Sequence, residues 1–384
     1  MLTDADILAL QTIAGADNVS VRGADLEAHS IDESWATPHP PEAVVWPSTT
    51  EQVAQVLTYA NAHELPVVPW SGGSSLEGNP VPVHGGIVLA MYRMNKILEI
   101  REDDLQVVVQ PGVIYDQLNK QLLRLGMFFP PAPGSADVAT IGGMVANNSS
   151  GMRAVKYGVT RDYVLKLEVV LPDGRILTLG SNARKSTSGY NLMGLFAGSE
   201  GTLGVITEIT LRLKGAPETV AALLAVYDDM GSAAHTVYEA IRFGLDPSAI
   251  EILDAATVRV TNQQQGLTLQ EKPTLFVEFH GSEAGVQEQL EYVRELCEEN
   301  GAIEVRAATD TEERERLWSA RKEAHDSIKQ SHPGALMIAG DVCVPISKFV
   351  EMVEFVGAMA DKLGLEIYSF GHAGDGNLHT ETIA

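Results

Sequence analysis

Apolar and polar positions change their spacing along the chain, and the changes mark out its elements. Residues 3 to 14 place Ile7, Leu8, Leu10 and Ile13 on one side of a helix that Thr3 can cap. From Ala43 the pattern becomes a short apolar run (Ala43-Val44-Val45-Trp46), a helix opened by Thr50 and running from Glu51 to His63, and a second apolar run from Pro66 to Trp70. That succession predicts a βαβ unit. Further strands are expected at 86–91, 105–109, 165–171, 176–179 and 205–213, separated by loops rich in Gly and Pro. Linker composition at Lys214-Gly215-Ala216-Pro217-Glu218 gives way to a strand at 221–226, a helix at 231–243, a strand at 274–279, a helix at 284–300 and a strand at 303–307. This alternation is expected of an α+β domain. The expected division is therefore an N-terminal helical segment 1–40, a domain 41–216 and a second domain 217–384. The last residues, Thr380-Glu381-Thr382-Ile383-Ala384, read as strand with no closing element, so a C-terminally truncated chain is expected.

With 384 residues and 45% hydrophobic content the chain is long enough for two cored domains. Its 27 Lys and Arg stand against 51 Asp and Glu, and the net charge of -24 leaves no basic footprint for nucleic acid or anionic lipid. Cys297 and Cys343 make no disulfide framework, and the opening Met1-Leu2-Thr3-Asp4-Ala5-Asp6 lacks the cationic start of a secretory signal. No apolar run approaches the ~20 residues needed to cross a bilayer. A soluble cytoplasmic protein is expected, with peripheral contact at the inner face of a membrane, or with partner subunits, left open.

Three glycine-rich segments carry candidate chemistry. The first, Trp70-Ser71-Gly72-Gly73-Ser74-Ser75-Leu76-Glu77-Gly78-Asn79, follows a strand, where backbone freed by glycine can curl its N–H groups around an anion and hydroxyls can add donors. A surface turn has the same composition. Gly73 and Gly78 have Walker spacing, but Asn79-Pro80 replaces the required Lys and Ser/Thr, and no G-x-G-x-x-G is present, so triphosphate and Rossmann dinucleotide binding are disfavoured. The second segment runs from Pro130-Pro131-Ala132-Pro133-Gly134-Ser135 through Thr140-Ile141-Gly142-Gly143-Met144-Val145-Ala146-Asn147-Asn148-Ser149-Ser150-Gly151 to Tyr157-Gly158. So much uncharged Gly, Asn and Ser suggests backbone packed against a planar ligand. The third, Gly198-Ser199-Glu200-Gly201-Thr202-Leu203-Gly204-Val205-Ile206, leads into a strand and could close the same site.

Near the end, His372-Ala373-Gly374-Asp375-Gly376-Asn377-Leu378-His379 carries a hairpin signal in Asp375-Gly376. Pairing outward from that dipeptide sets His372 opposite His379, with Cβ atoms roughly 4.5–5.5 Å apart, close enough to share one divalent ion. Two histidines capping a turn are the alternative, since two ligands do not close a site. Upstream, Leu317-Trp318-Ser319-Ala320-Arg321-Lys322 reads as helix, followed by Asp341-Val342-Cys343-Val344-Pro345. An Arg reaching a cavity grips a carboxylate with two parallel hydrogen bonds, although Arg321 taken alone also suits a solvated helix face.

Taken in order, these segments resemble the vanillyl-alcohol oxidase and p-cresol methylhydroxylase superfamily, and within it the D-lactate dehydrogenase, glycolate oxidase and D-2-hydroxyglutarate dehydrogenase family, from about Ala43 to the last residue. The resemblance implies an α+β protein: a p-cresol methylhydroxylase-type FAD-binding domain of two α/β subdomains, and an α+β cap with an antiparallel sheet. It implies that Ser71, Gly72, Gly73, Ser74 and Ser75 hold the FAD diphosphate, that Pro133, Gly134, Ser135, Thr140, Gly142 and Gly143 line the flavin, and that Val205 and Ile206 meet its ring edge. Gly78, Asn147, Ser150, Gly151 and Gly204 complete the implied cofactor set. Ser74 stands where some superfamily members tether FAD through a His, which implies non-covalent FAD.

By the same resemblance, H-x-G-D-G-N-x-H makes His372 and His379 ligands of a divalent metal, Zn or Mn, and W-x-x-R makes Arg321 the anchor of the substrate carboxylate. The family's third ligand and a candidate base lie in a Glu-His-Gly segment not present here. Members taking dicarboxylates carry a Lys shortly before the Asp of the next strand, where this chain has Ile338-Ala339-Gly340. A small D-2-hydroxy monocarboxylate, D-lactate first, is therefore the expected substrate, with hydride passing to flavin and electrons passing on to a quinone, a cytochrome or an electron-transfer flavoprotein. A glycolate oxidase catalytic subunit working in a complex, and an FAD-binding fragment without turnover, are the competing expectations.

Overall fold

The apolar runs at Ala43 and Ile87 are continuous because their strands are covered on both faces, as parallel strands usually are. The computed structural model describes residues 1–308 and 310–384, which form two units: 1–150 with 159–216, and 151–158 with 217–384. In the first unit, β1 (Val19–Ser20), β2 (Ala43–Val45), β3 (Val67–Trp70) and β4 (Ile87–Ala90) form a sheet of order β1-β2-β4-β3. β2 and β3 both run parallel to β4, and β1 pairs antiparallel with β2, so part of residues 1–40 is built into this sheet.

Helix Thr50–Ala62 crosses from β2 to β3, burying Val53, Val56, Leu57 and Ala60. Its cap is Thr49, whose hydroxyl accepts from Gln52 N at 3.2 Å, not Thr50; the Thr50 hydroxyl instead donates to Glu168. Helix Asp4–Ala14 is closed by a capping box between Thr3 and Asp6, and Leu10 and Ala14 pack with Val53 and Val56.

A second sheet in this unit is antiparallel throughout: β5 (Ile97–Arg101), β6 (Gln106–Val109), β8 (Val164–Val170), β9 (Ile176–Gly180) and β10 (Val205–Arg212), in the order β5-β6-β10-β8-β9. β7 (Met127–Phe128) pairs with β11 (Lys214–Gly215). β5 has no counterpart among the expected strands, because its alternation is broken by Glu99 and by a register shift between Ile97 and Glu99.

The second unit is a seven-stranded antiparallel sheet of β12 (Thr219–Val226), β13 (Ala249–Leu253), β14 (Thr274–Gly281), β15 (Glu304–Ala308), β16 (Met337–Cys343), β17 (Glu366–Gly371) and β18 (Asn377–Ile383), in the order β15-β12-β14-β13-β17-β18-β16. The two-residue period of its strands separates two cores. Leu223, Ile250, Ile252 and Val277 pack on one face with helices Met230–Arg242, Glu283–Glu299 and Phe349–Leu363. Leu224, Leu253, Phe276 and Phe370 pack on the other with helices Ala255–Gln265, Thr311–Lys322 and Ala324–Ser331.

Segment 151–158 belongs to this unit through polar contacts. Buried Glu278 accepts from Ser248 at 3.1 Å and lies 2.9 Å from His280 and 3.4 Å from Arg153. Tyr157 bonds His280 at 2.9 Å, and Lys156 pairs with Asp246 at 2.6 Å. Among the described residues no helix is long and apolar enough to cross a membrane.

Candidate active site

The glycine-rich segments of the first unit converge on one cleft, with about 160 Å³ of cavity inside about 960 Å³ of atom-free space open to solvent. Ser71, Gly72, Gly73, Ser74 and Ser75 enter it directly after β3, at the carboxyl end of a parallel strand, where open α/β sheets place ligands. Thr140, Gly142, Gly143 and Asn147 line it from helix Ile141–Ala146, which Thr140 caps by accepting from Gly143 N at 3.2 Å. The Thr140 hydroxyl also bonds Ser71, so the first two glycine-rich segments are joined side chain to side chain. Gly204, Val205 and Ile206 line it where β10 begins, and Ser135 completes the expected residues present. Gly78, Pro133, Gly134, Ser150 and Gly151 are not among the lining residues, and Gly151 falls in the second unit.

Met91 and Pro111 line the cleft from outside the three glycine-rich segments, and Glu200 and Gly201 line it from the third. Glu200 is held at φ 54° while its N–H donates to Ala146 O at 2.9 Å, which ties the third segment to the end of the helix. Among the lining residues Glu200 carries the one full charge, so an anion bound here would be met by backbone N–H groups and hydroxyls. Two observations fit a large planar ligand with polar edges. A Cβ on Gly142 would sit 2.9 Å from the Pro111 Cα and carbonyl oxygen, and one on Gly72 2.7 Å from Val138 O, so side chains are excluded where the walls meet. The Asn79 Oδ1 is buried in the cleft wall without a protein partner.

In the second unit His372, His379 and Arg321 come together on the sheet face that carries Phe370. The hairpin register differs from the expected one: Phe370, not His372, pairs with His379, because the turn widens into a 3-10 segment, Ala373–Asp375, closed by Gly376 at φ 71°. The offset is two residues, and a shift of two keeps a side chain on its face. The imidazoles therefore still meet, diagonally, with ring centroids 4.9 Å apart and planes at 87°.

Arg321 is 6% exposed, so of its two readings the solvated helix charge is excluded; its neighbour Lys322 is exposed. Its Nε donates to Glu251 Oε2 at 2.5 Å, and its guanidinium lies over the Phe370 ring at 5.0 Å. Glu251, fully buried on β13, also accepts from His372 Nδ1, at 2.8 Å to Oε1. His379 Nδ1 lies 3.1 Å from Asp341 Oδ1. The hydrogen bond from His379 holds the Asp341 carboxyl below its ordinary value, while burial pushes His379 below the usual imidazole range against the pull of Asp341. Burial, and then repulsion by Glu251, push Asp375 up to about 7.

Each imidazole thus has a carboxylate on Nδ1, and among the described residues neither Nε2 is used in a hydrogen bond, the arrangement that orients metal-binding histidines. No group of three or more His, Cys, Asp or Glu among the described residues is disposed to hold an ion. Glu251 was not expected. Its signal was available as a lone carboxylate inside the apolar run Ala249-Ile250-Glu251-Ile252-Leu253, which must find partners if buried.

A cleft at strand ends lined by glycines and hydroxyls, with Glu200 its one charge, and a separate sheet face that carries two imidazoles and a buried guanidinium suit a flavin-dependent oxidoreductase. The FAD binding domain family matches residues 41–180, and the C-terminal domain family of FAD linked oxidases matches residues 216–384. The glycolate oxidase subunit GlcD of Bacillus subtilis is 38% identical over 369 residues, covering 96% of this chain and 78% of its own length. The probable mitochondrial D-lactate dehydrogenase of Danio rerio is 38% identical over 378 residues, covering 97% of this chain and 75% of its own. The structure of p-cresol methylhydroxylase with substrate bound superposes with a TM-score of 0.81 at 17% identity, covering 100% of this chain and 83% of that one, and shows the shared fold. The chain belongs to the family of FAD-linked D-lactate dehydrogenases and glycolate oxidase subunits.

Proposed function

We propose that this protein oxidises a small D-2-hydroxy monocarboxylate, D-lactate first, to the 2-oxo acid. Arg321 is the observation that carries the reading: a buried guanidinium whose Nε is taken by Glu251, which leaves the Nη1–Nη2 edge as a fork of the shape a carboxylate fills. The Arg321–Glu251 pair is net neutral, so it orients a carboxylate without drawing in a second one. FAD bound in the cleft supplies the acceptor for the hydride. Ser71 to Ser75 hold its diphosphate through N–H groups and hydroxyls; Ser135, Thr140, Gly142, Gly143, Asn147 and Gly204 approach the rest of the cofactor, and Val205 and Ile206 its ring edge, while Gly78, Pro133, Gly134, Ser150 and Gly151, which do not line the cleft, take no part in holding it. With Ser74 at the tethering position, the cofactor is held without a covalent bond.

His372 and His379 would hold a divalent ion of the Zn or Mn type through the ring nitrogens that their bonds at Nδ1 leave unused. Such an ion supplies Lewis acidity at a hydroxyl oxygen. Arg321 fixes the carboxylate, which turns an encounter into an aligned complex. Glycolate oxidation as the catalytic subunit of a complex is the second reading, favoured by the equal 38% identity to the Bacillus subtilis glycolate oxidase subunit.

Anaerobic flavin absorbance of the FAD- and Zn- or Mn-loaded protein separates these readings. D-lactate is expected to bleach the flavin, with L-lactate and D-2-hydroxyglutarate without effect; bleaching by glycolate in preference to D-lactate would move the protein to the second reading, and bleaching by none would remove both. The cleft has its own test. Gly142→Ala is expected to weaken FAD binding about tenfold or more, the cost of overpacking against the Pro111 backbone. Gly215→Ala, where a Cβ meets nothing within 4 Å, should leave it unchanged. Fluorescence titration of the apoprotein with FAD reads both, and equal affinities would move the cofactor elsewhere.

A further inference from the structure

We propose that Glu251 is the positioning residue of the second unit's site, setting the tautomer of His372 and the orientation of Arg321 with one carboxylate. The inference rests on the reading of His372 as a metal ligand and Arg321 as the carboxylate anchor, and it extends the part of Glu251 from the guanidinium to the imidazole.

β13 is buried at every position, and Glu251 is 0% exposed between the apolar neighbours Ile250 and Ile252. A carboxylate in such a place is costly unless its oxygens are bonded, and one removed from its partners would be costlier still. Its two oxygens are shared between two other elements. Oε2 accepts from Nε of Arg321, on helix Thr311–Lys322, at 2.5 Å; Oε1 accepts from Nδ1 of His372, just beyond β17, at 2.8 Å.

The chemistry of each bond sets what the other end of the partner can do. A carboxylate only accepts, so His372 must carry its proton on Nδ1, and Nε2 is left as a lone pair, the form that binds a metal. The Arg321 Nη2 lies 3.4 Å from the same Nδ1, but two donors cannot bond each other, so the carboxylate holds the ring. On the Arg321 side, engagement at Nε fixes the guanidinium plane and leaves the opposite fork free. Helix and hairpin are thereby locked to one strand, and metal affinity and acid recognition are coupled through a residue that touches neither metal nor substrate.

The decisive measurement is the 15N NMR of the His372 ring in the FAD-loaded, metal-free protein, assigned with His372→Gln. The wild type is expected to show the Nδ1-protonated tautomer, and Glu251→Gln, which has one accepting oxygen in place of two, a mixture of tautomers. Glu251→Gln should also bind Zn by calorimetry about 10- to 100-fold more weakly, the usual cost of losing a group behind a metal-binding histidine. Its kcat/KM for D-lactate should fall by about 100-fold, as expected when a positioned group drifts. Glu278→Gln, another buried carboxylate of the same sheet, controls for instability and should alter none of the three. A His372 ring protonated on Nε2 in the wild type, or a tautomer and Zn affinity unchanged in Glu251→Gln, overturns the proposal even if the variant proves hard to fold. A tautomer that shifts as expected in a protein that no hydroxy acid reduces sustains the positioning role and removes the substrate reading.

Discussion

Replacing Arg321 by lysine is expected to lower kcat/KM for the hydroxy acid by two orders of magnitude or more, and replacement by alanine by still more. The two changes separate charge from shape. Lysine keeps a cation near Glu251 but has no planar fork, so it cannot hold Glu251 through Nε and present two parallel donors on the opposite edge. Alanine in addition leaves a fully buried carboxylate with His372 as its remaining partner, and truncating one member of a buried ion pair costs about 3–5 kcal/mol. Flavin reduction in single turnover reads the loss directly, and the FAD content of the purified variant checks that the cofactor cleft is intact. A lysine variant within threefold of the wild type would show that the guanidinium does not bind the acid.

The second large effect is on acid stability. Burial alone would raise the Glu278 carboxyl, but the hydrogen bond with His280, the nearby charges of Arg153 and His280, and Ser248 outweigh it and hold the group at about 2, against 4.5 for an ordinary glutamate. A carboxyl depressed in the folded state stabilises fully above its unfolded value, and that contribution fades as pH falls from about 4.5 towards about 2. The whole is worth on the order of 3 kcal/mol. The stability difference between wild type and Glu278→Gln, from urea unfolding of the full chain, should therefore be largest at neutral pH and shrink by about 2 kcal/mol by pH 3. A difference that stays constant over this range would mean that Glu278 titrates normally.

Much of this was legible in the sequence, and the parts that were not share a cause. The βαβ unit was readable because apolar runs of three or four residues bracket a helix with its own cap, and the helices at Met230–Arg242 and Glu283–Glu299 were found to within a residue at either end. β13 was missed with helix Ala255–Gln265 behind it, since Glu251 breaks the apolar run that would have announced it. The residue that hid the strand is the one that organises the site. Loop composition located the cleft, but composition does not say which residue of a loop turns inward. Gly134 and Gly78 sit in the right segments and off the cleft wall, while Pro111 and Met91, from segments with no unusual composition, form part of it. The hairpin was sound in its faces and wrong in its register, because Asp375-Gly376 suggested a two-residue turn where the chain makes a 3-10 turn ending in a left-handed glycine.

The short segment 151–158 makes the two units a poor pair of cassettes. The chain passes from one to the other at residues 150/151, 158/159 and 216/217, so a single cut at the linker would part the second unit from Arg153, Lys156 and Tyr157 and leave Glu278, Asp246 and His280 short of the groups that hold them. Neither unit is one contiguous stretch of the chain. An exchange of the second unit that kept its contacts would have to carry the eight residues 151–158 along with 217–384.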